Sequence, residues 1–177
     1  RVMKSRWSDK EASEAVSRWA SWGEDLALRT YSSRLLGMEK SLVLHGGGNT
    51  SVKGTSTNIL GEELPALFIK ASGFDLARIE PAGHPALDLG FLKKLRALDK
   101  LSDEIMMEQL RSHLLDSRSP TPSIETLVHA FIPGRFIDHT HADAILALTN
   151  QSGGKDLVGQ ALGEEVVVLD YVRPGFK

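Results

Sequence analysis

Glu125, His129, His139 and His141 lie within Pro122–Asp143 (PSIETLVHAFIPGRFIDHTHAD), the stretch of the chain richest in side chains able to do chemistry. On a β-strand, side chains two apart point the same way, about 7 Å apart along the strand. His139 and His141 can therefore reach one metal ion while Thr140 faces away. Asp138 and Asp143 flank the pair and could orient its rings as hydrogen-bond acceptors. Glu125, on a helix-like segment, could be a third ligand or a general base; a base must come within hydrogen-bond reach of the proton it moves. A catalytic zinc normally takes three protein ligands and keeps one position open. No histidine follows His141, so the third ligand is Glu125 or lies beyond Lys177. His129 stands four residues from Glu125 on the same helical face, where an isolated histidine is more often structural than a ligand. His45, His84 and His113 are isolated and read as structural or solvated.

A second set of residues could hold an anion. Gly46, Gly47 and Gly48 let backbone N–H groups converge, and Asn49 and Ser51 add side-chain donors. The spacing is neither that of a nucleotide P-loop nor that of a dinucleotide fingerprint, because the turn leads into a strand. Its bland reading is a hairpin. Ser72-Gly73, at the end of the apolar run Leu64–Ala71, gives a second hydroxyl at a strand end, and Ser123 is placed to cap a helix whose first-turn N–H groups face an anion.

The elements that position these residues follow from periodicity. Ser8 and Glu11 form a capping box before Ala12, Ala15, Val16 and Trp19, and a second amphipathic helix runs from beyond Gly23 to about Gly37. The tryptophans Trp7, Trp19 and Trp22 are expected to pack. Leu42–Leu44, Ser51–Thr57, Leu64–Ala71, Phe136–His141 and Val166–Leu169 read as strands. Helices are expected over Leu87–Leu98, Ser102–Leu115, Ser123–Phe131 and Ala142–Thr149, with a short one reaching Leu162. Strands following one another without helices between them predict an antiparallel core sheet. At 177 residues, with 41% hydrophobic and 25% charged content, one globular domain is expected. A net charge of -2 without a basic run argues against nucleic-acid binding. There is no cysteine, so any metal rests on imidazole and carboxylate, which suits zinc or another first-row ion. No apolar run is long enough to span a membrane and no signal-peptide core precedes the first helix, so a cytoplasmic location is expected. The opening Arg1-Val2-Met3 leaves Met3 as a possible natural start.

Taken together, the motifs resemble the class II aldolase/adducin family. GGGNTS (Gly46–Ser51), KASG (Lys70–Gly73), PSxETxxH (Pro122–His129) and DHTHAD (Asp138–Asp143) occur in family order. With YVRPGF (Tyr171–Phe176), they look most like the aldolase half of bifunctional rhamnulose-1-phosphate aldolase/short-chain dehydrogenase proteins. The resemblance implies an α/β fold, a three-layer α/β/α sandwich around a largely antiparallel sheet, assembled as a homotetramer when full length. It implies a single domain over residues 1–177 that lacks its C-terminal part, where the family carries a third metal histidine. By the same resemblance, zinc sits on His139 and His141, Glu125 is the catalytic acid/base, and Gly48, Asn49, Ser72, Gly73 and Ser123 bind the substrate phosphate. Relatives often carry a second serine where this chain has Ile124. The implied reaction is cleavage of a ketose 1-phosphate to dihydroxyacetone phosphate and an aldehyde. An epimerase or dehydratase of the same fold, and a non-catalytic adducin-like module, are the alternatives. An amidohydrolase barrel is excluded, since too little chain follows His141.

Overall fold

Ser8 Oγ accepts from the Glu11 amide at 3.4 Å and starts α1, Asp9–Arg18. The reciprocal half of the capping box is not made. Glu11 Oε2 instead accepts from the Tyr31 hydroxyl (2.8 Å), tying α1 to α2, Glu24–Gly37. The two helices meet through Ala12, Ala15, Trp19, Ala27 and Tyr31, and Gly23, at φ +82°, turns the chain between them. Of the tryptophans only Trp19 is buried; Trp7 lies edge-on to Tyr31, and Trp7 and Trp22 stay nearly half exposed. The structure, a computed structural model, describes residues 3–172, 175 and 176.

Four strands form an antiparallel sheet in the order β3-β2-β1-β4: β1 is Asn49–Thr57, β2 Glu63–Ile69, β3 Ala86–Asp88 and β4 Phe136–His139. Neighbouring side chains on β1 show how the layers divide. Thr50 Oγ1 meets Ser33 Oγ of α2 at 2.8 Å on one face. Ser51 Oγ meets His129 Nδ1 of α5, Thr126–Phe131, at 2.8 Å on the other. Strand alternation thus exposes both faces of the sheet to helices, giving the expected α/β/α order. The main core lies on the second face. Leu67, Ile69 and Leu87 of the sheet pack there on Leu92 of α3 (Leu89–Lys94), Met106 and Leu110 of α4 (Asp103–Ser112), and Leu127 of α5. Helices α6, Asp143–Thr149, and α7, Gly154–Leu162, follow β4. No helix among the described residues is long and apolar enough to cross a membrane.

Several expectations fail for local reasons. Leu42–Leu44 is not a strand: the Leu42 and Val43 amides turn back to the Glu39 carbonyl. The glycine-rich segment therefore precedes the first strand and is not a hairpin; the hairpin between β1 and β2 is Asn58–Glu62, where Asn58 Oδ1 accepts from Leu60 and Glu62 amides. Val166–Leu169 forms no strand, and Val167 and Leu169 are exposed, since no strand among the described residues pairs with this apolar run. Strand β4 stops at His139, two residues early, because the His141 amide turns to the Leu42 carbonyl (2.8 Å) and leaves the ladder. The helix after Ser123 begins at Thr126 and has six residues; Ser123 Oγ accepts from the Glu125 amide (3.2 Å) in the preceding turn. A helix this short offers little dipole to an anion. Of the motif at Tyr171–Phe176, Arg173 and Pro174 lie outside the described residues.

Candidate active site

The end of the sheet where β1 starts and β4 finishes collects the residues singled out by their chemistry. In the β1/β4 ladder Asn49 pairs with His139 and Ser51 with Ile137. His139 thereby faces the α5 side, where Glu125 waits at the start of that helix. Glu125 Oε2 lies 2.9 Å from His139 Nδ1, with each side chain about one-third exposed. The carboxylate holds one ring nitrogen and leaves Nε2 of His139 as the one available to another partner. His141, though beyond the strand, returns to the same place: its ring stands edge-on to that of His139, centroids 4.8 Å apart. Gly47 makes room for it, since a Cβ there would come within 3.3 Å of His141 Nδ1.

The candidate anion-binding residues converge on the same end by backbone bonds. The Lys70 and Ser72 amides donate to the Thr50 and Thr121 carbonyls, both at 3.0 Å. Ala71 bridges to Pro122, which brings the Ser72-Gly73 turn beside Ser123. Gly48 has φ +69° and is so closely packed that a Cβ would meet Val43 Cγ1 at 2.5 Å and the His139 carbonyl at 2.9 Å. Gly73, at φ +77°, has open space around it. Gly48, Asn49 and Ser123 are buried, and Ser72 and Gly73 are exposed. Lys70 is 2% exposed, and its Nζ donates to the Gly46 carbonyl (3.1 Å) and the Phe74 carbonyl (2.8 Å), tying the glycine-rich segment to the Ser72-Gly73 turn. The sequence names Lys70 only as the first residue of KASG and assigns it no role, although a lysine inside an apolar strand run is itself a signal.

Electrostatics separate the roles. Burial raises the Glu125 carboxyl, but the His139 hydrogen bond and charge, the Asn49 amide and nearby His129 outweigh it and hold the group below its ordinary value. Glu125 is thus ionised near neutrality, the state a base requires. His129 is 2% exposed, and burial pushes it down to about 4, against the pull of Glu125. It is a buried, neutral ring bonded to Ser51. Burial lowers the Lys70 ammonium, with Glu125 and Asp75 opposing.

Asp138 departs from expectation. Alternation on β4 points it to the opposite face from His139, so it cannot orient that ring. It pairs instead with Arg29 of α2 at 2.6 Å. Arg29 was missed in the sequence, yet it occupies the buried stripe of α2 with Leu26, Thr30 and Ser33.

The donor set fits a first-row divalent cation in kind: two facing imidazoles and one carboxylate, in a chain with no thiol. It is incomplete in number. No group of three or more His, Asp or Glu side chains among the described residues is arranged to hold a metal. A groove of about 790 Å³ lies elsewhere, beside Trp22, Thr55, His84 and Arg118.

Comparison with known proteins converges on one assignment. Residues 29–177 match the family described as "Class II Aldolase and Adducin N-terminal domain". The solved "N-terminal Class II Aldolase domain of a conserved protein from Thermoplasma acidophilum" superposes with a TM-score of 0.86 at 37% identity, over 99% of this chain and 76% of that one. A protein of Bacillus subtilis (strain 168), described as "Uncharacterized oxidoreductase YuxG", is 40% identical over 146 residues, 82% of this chain. The matched region spans about a fifth (21%) of that relative's length.

Proposed function

The chain belongs to the class II aldolase and adducin family, and from that membership we propose that it is the aldolase portion of a metal-dependent lyase that cleaves a ketose 1-phosphate to dihydroxyacetone phosphate and an aldehyde. The observation that carries the reading is the ionised Glu125 bonded to His139, with His141 edge-on beside it.

In this reading His139 and His141 hold a divalent cation, zinc by donor type, and a third nitrogen comes from a histidine C-terminal to Lys177. When bound, such a cation supplies Lewis acidity that stabilises negative charge developing on the substrate oxygens. Glu125 Oε2 moves the proton at the carbon beside the carbonyl. In condensation it takes that proton, and in cleavage it returns it after the carbon–carbon bond has broken. Gly48, Asn49, Ser72, Gly73 and Ser123 anchor the phosphate, so that binding energy from the non-reacting end positions the reacting carbon. Lys70 keeps the two loops together. Residues 1–177 form one class II aldolase-like domain of a cytoplasmic protein that assembles as a homotetramer at full length. The oxidoreductase description of the longer Bacillus relative supports a fused dehydrogenase context.

Replacing Glu125 with Gln in the full-length protein should lower cleavage of rhamnulose 1-phosphate or fuculose 1-phosphate by about 10²–10⁴-fold while fold and metal content stay unchanged. Normal turnover in that variant overturns the assignment. One observation favours a second reading, a non-catalytic adducin-like module: only two imidazoles face each other among the described residues. A full-length protein that takes up no divalent cation would decide for it.

A further inference from the structure

Strand β4 is four residues long, pairs on one side only among the described residues, and carries His139 at its last position. A short edge strand is weakly held in register, and a slip of one residue sends every side chain to the opposite face. Here that slip would put Asp138 beside Glu125 and carry His139 to the α2 side. Four ladder positions, from Asn49↔His139 to Val52↔Phe136, oppose it, with the Lys53 amide on the Arg135 carbonyl (2.9 Å) just before the strand and the His141 amide on the Leu42 carbonyl (2.8 Å) just after it.

On the α2 face of the same two strands sits Arg29, 1% exposed. Its guanidinium reaches both strands at once. Nη1 donates to the Ser51 carbonyl of β1 (3.3 Å), Nη2 donates to Asp138 Oδ1 of β4 (2.6 Å), and the group stands 5.7 Å from the Phe136 ring centre. Nη2 also reaches Ser32 Oγ at 2.6 Å, while Nε is buried without a partner. A buried guanidinium left with an unsatisfied N–H is poorly explained by stability alone, because an apolar side chain would fill the place without desolvating a charge. Only the cation is buried, since the Asp138 side chain is 47% exposed; fixing registry is the best-attested use of such a buried polar group. Moving Asp138 to the other face would strand this cation with no carboxylate, and this is the arrangement that the slipped register requires.

We propose that the Arg29–Asp138 pair is a register lock for β4. It acts from the far side of the sheet, so that His139, and not Asp138, is the side chain delivered to Glu125. Arg29 is then a positioning residue: it touches neither Glu125 nor the face that His139 occupies. The inference rests on the proposed function only in treating His139 as a site residue; the lock itself is a statement about strand pairing.

The test is Arg29→Met, which keeps the stem and removes the charge, beside Asp138→Asn, which keeps the shape, and Arg29→Lys, which keeps the charge. Register is read directly by NMR from cross-strand contacts between Asn49 and His139 and from amide exchange at Ile137 and His139. Zinc affinity is read separately by titration with the metal alone. Arg29→Met and Asp138→Asn should lose the Asn49–His139 contact, increase exchange at both amides at least tenfold, and weaken zinc binding by a similar factor. Arg29→Lys should restore part of each. If Arg29→Met does not fold, Asp138→Asn alone decides. An unchanged Asn49–His139 contact and unchanged exchange in a folded Asp138→Asn protein overturn the lock. A lost register in a full-length protein that takes up no zinc even without substitution leaves the lock standing and removes the metal-site reading instead.

Discussion

Two imidazoles are folded away in neutral form, and acid should loosen this chain well before its carboxylates protonate. His84 is 2% exposed and burial pushes it down to about 3, with the Arg29 and Lys70 charges adding to the effect. His129 is held at about 4 by burial, with Glu125 opposing. Both folded values lie below the ordinary value of 6.5. Between those limits the unfolded chain binds protons that the folded chain refuses, so stability falls as pH falls. At pH 5 each imidazole is mostly protonated in the unfolded chain and still neutral in the folded one. Moving from pH 7 to pH 5 therefore costs about 1.8 kcal/mol per ring, roughly 4 kcal/mol for the pair. Because pH 5 lies above both folded values, the figure is set by the unfolded chain and not by the depth of either depression. Glu125 has the opposite linkage: its depressed value contributes stability above its unfolded 4.5, lost only as pH falls through the folded value, so it adds little at pH 5. Against a total of about 5–15 kcal/mol for a domain, the loss is large. Urea unfolding followed by tryptophan fluorescence should show the midpoint falling by about 2 M between pH 7 and pH 5, for a slope near 2 kcal/mol per M. His129→Gln should remove about half of that pH dependence. Equal stability at the two pH values, within about 1 kcal/mol, would refute the claim that both rings are buried and neutral.

Two glycines in the candidate phosphate loops should respond differently to alanine. Gly48→Ala meets a left-handed backbone and a blocked Cβ position, for a loss of about 2–4 kcal/mol and a displaced His139; Gly73→Ala meets the backbone penalty alone, about 1 kcal/mol. Equal losses in thermal or urea melts would contradict the packing described around Gly48. Zinc titrated into residues 1–177 alone should bind weakly, at about micromolar Kd or above, and His139→Ala should abolish the signal, since two imidazoles are fewer than a zinc site requires. A tight one-to-one complex would show that the third ligand lies within these residues.

Much of the site was legible because its residues cluster by motif. Glu125, His139 and His141 were named from type and spacing, and the structure brings Glu125 and His139 to 2.9 Å. The reason first given for pairing the histidines was incomplete: His141 lies beyond the strand and reaches His139 through the Leu42 carbonyl and the gap left by Gly47. Helices α1, α2 and α4 were readable from caps and period, since Ser8 and Ser102 each accept the amide bond that begins a helix. Apolar runs misled where a partner was needed. Leu42–Leu44 and Val166–Leu169 have strand composition, but a strand is defined by the neighbour that pairs with it, and among the described residues none does.

By itself, then, the sequence determined the chemistry: imidazole and carboxylate donors, no thiol, glycines where the backbone must turn left-handed, and the motif order of one family. Only the tertiary structure decided which residues share a face. Asp138 and His139 are neighbours in the chain and equally polar. One meets Arg29 and the other Glu125 because a strand alternates and because β4 is held in a single register against β1. Local spacing carries no information about that register; it is set by contacts between segments roughly a hundred residues apart, with Arg29 at one end and Asp138 at the other.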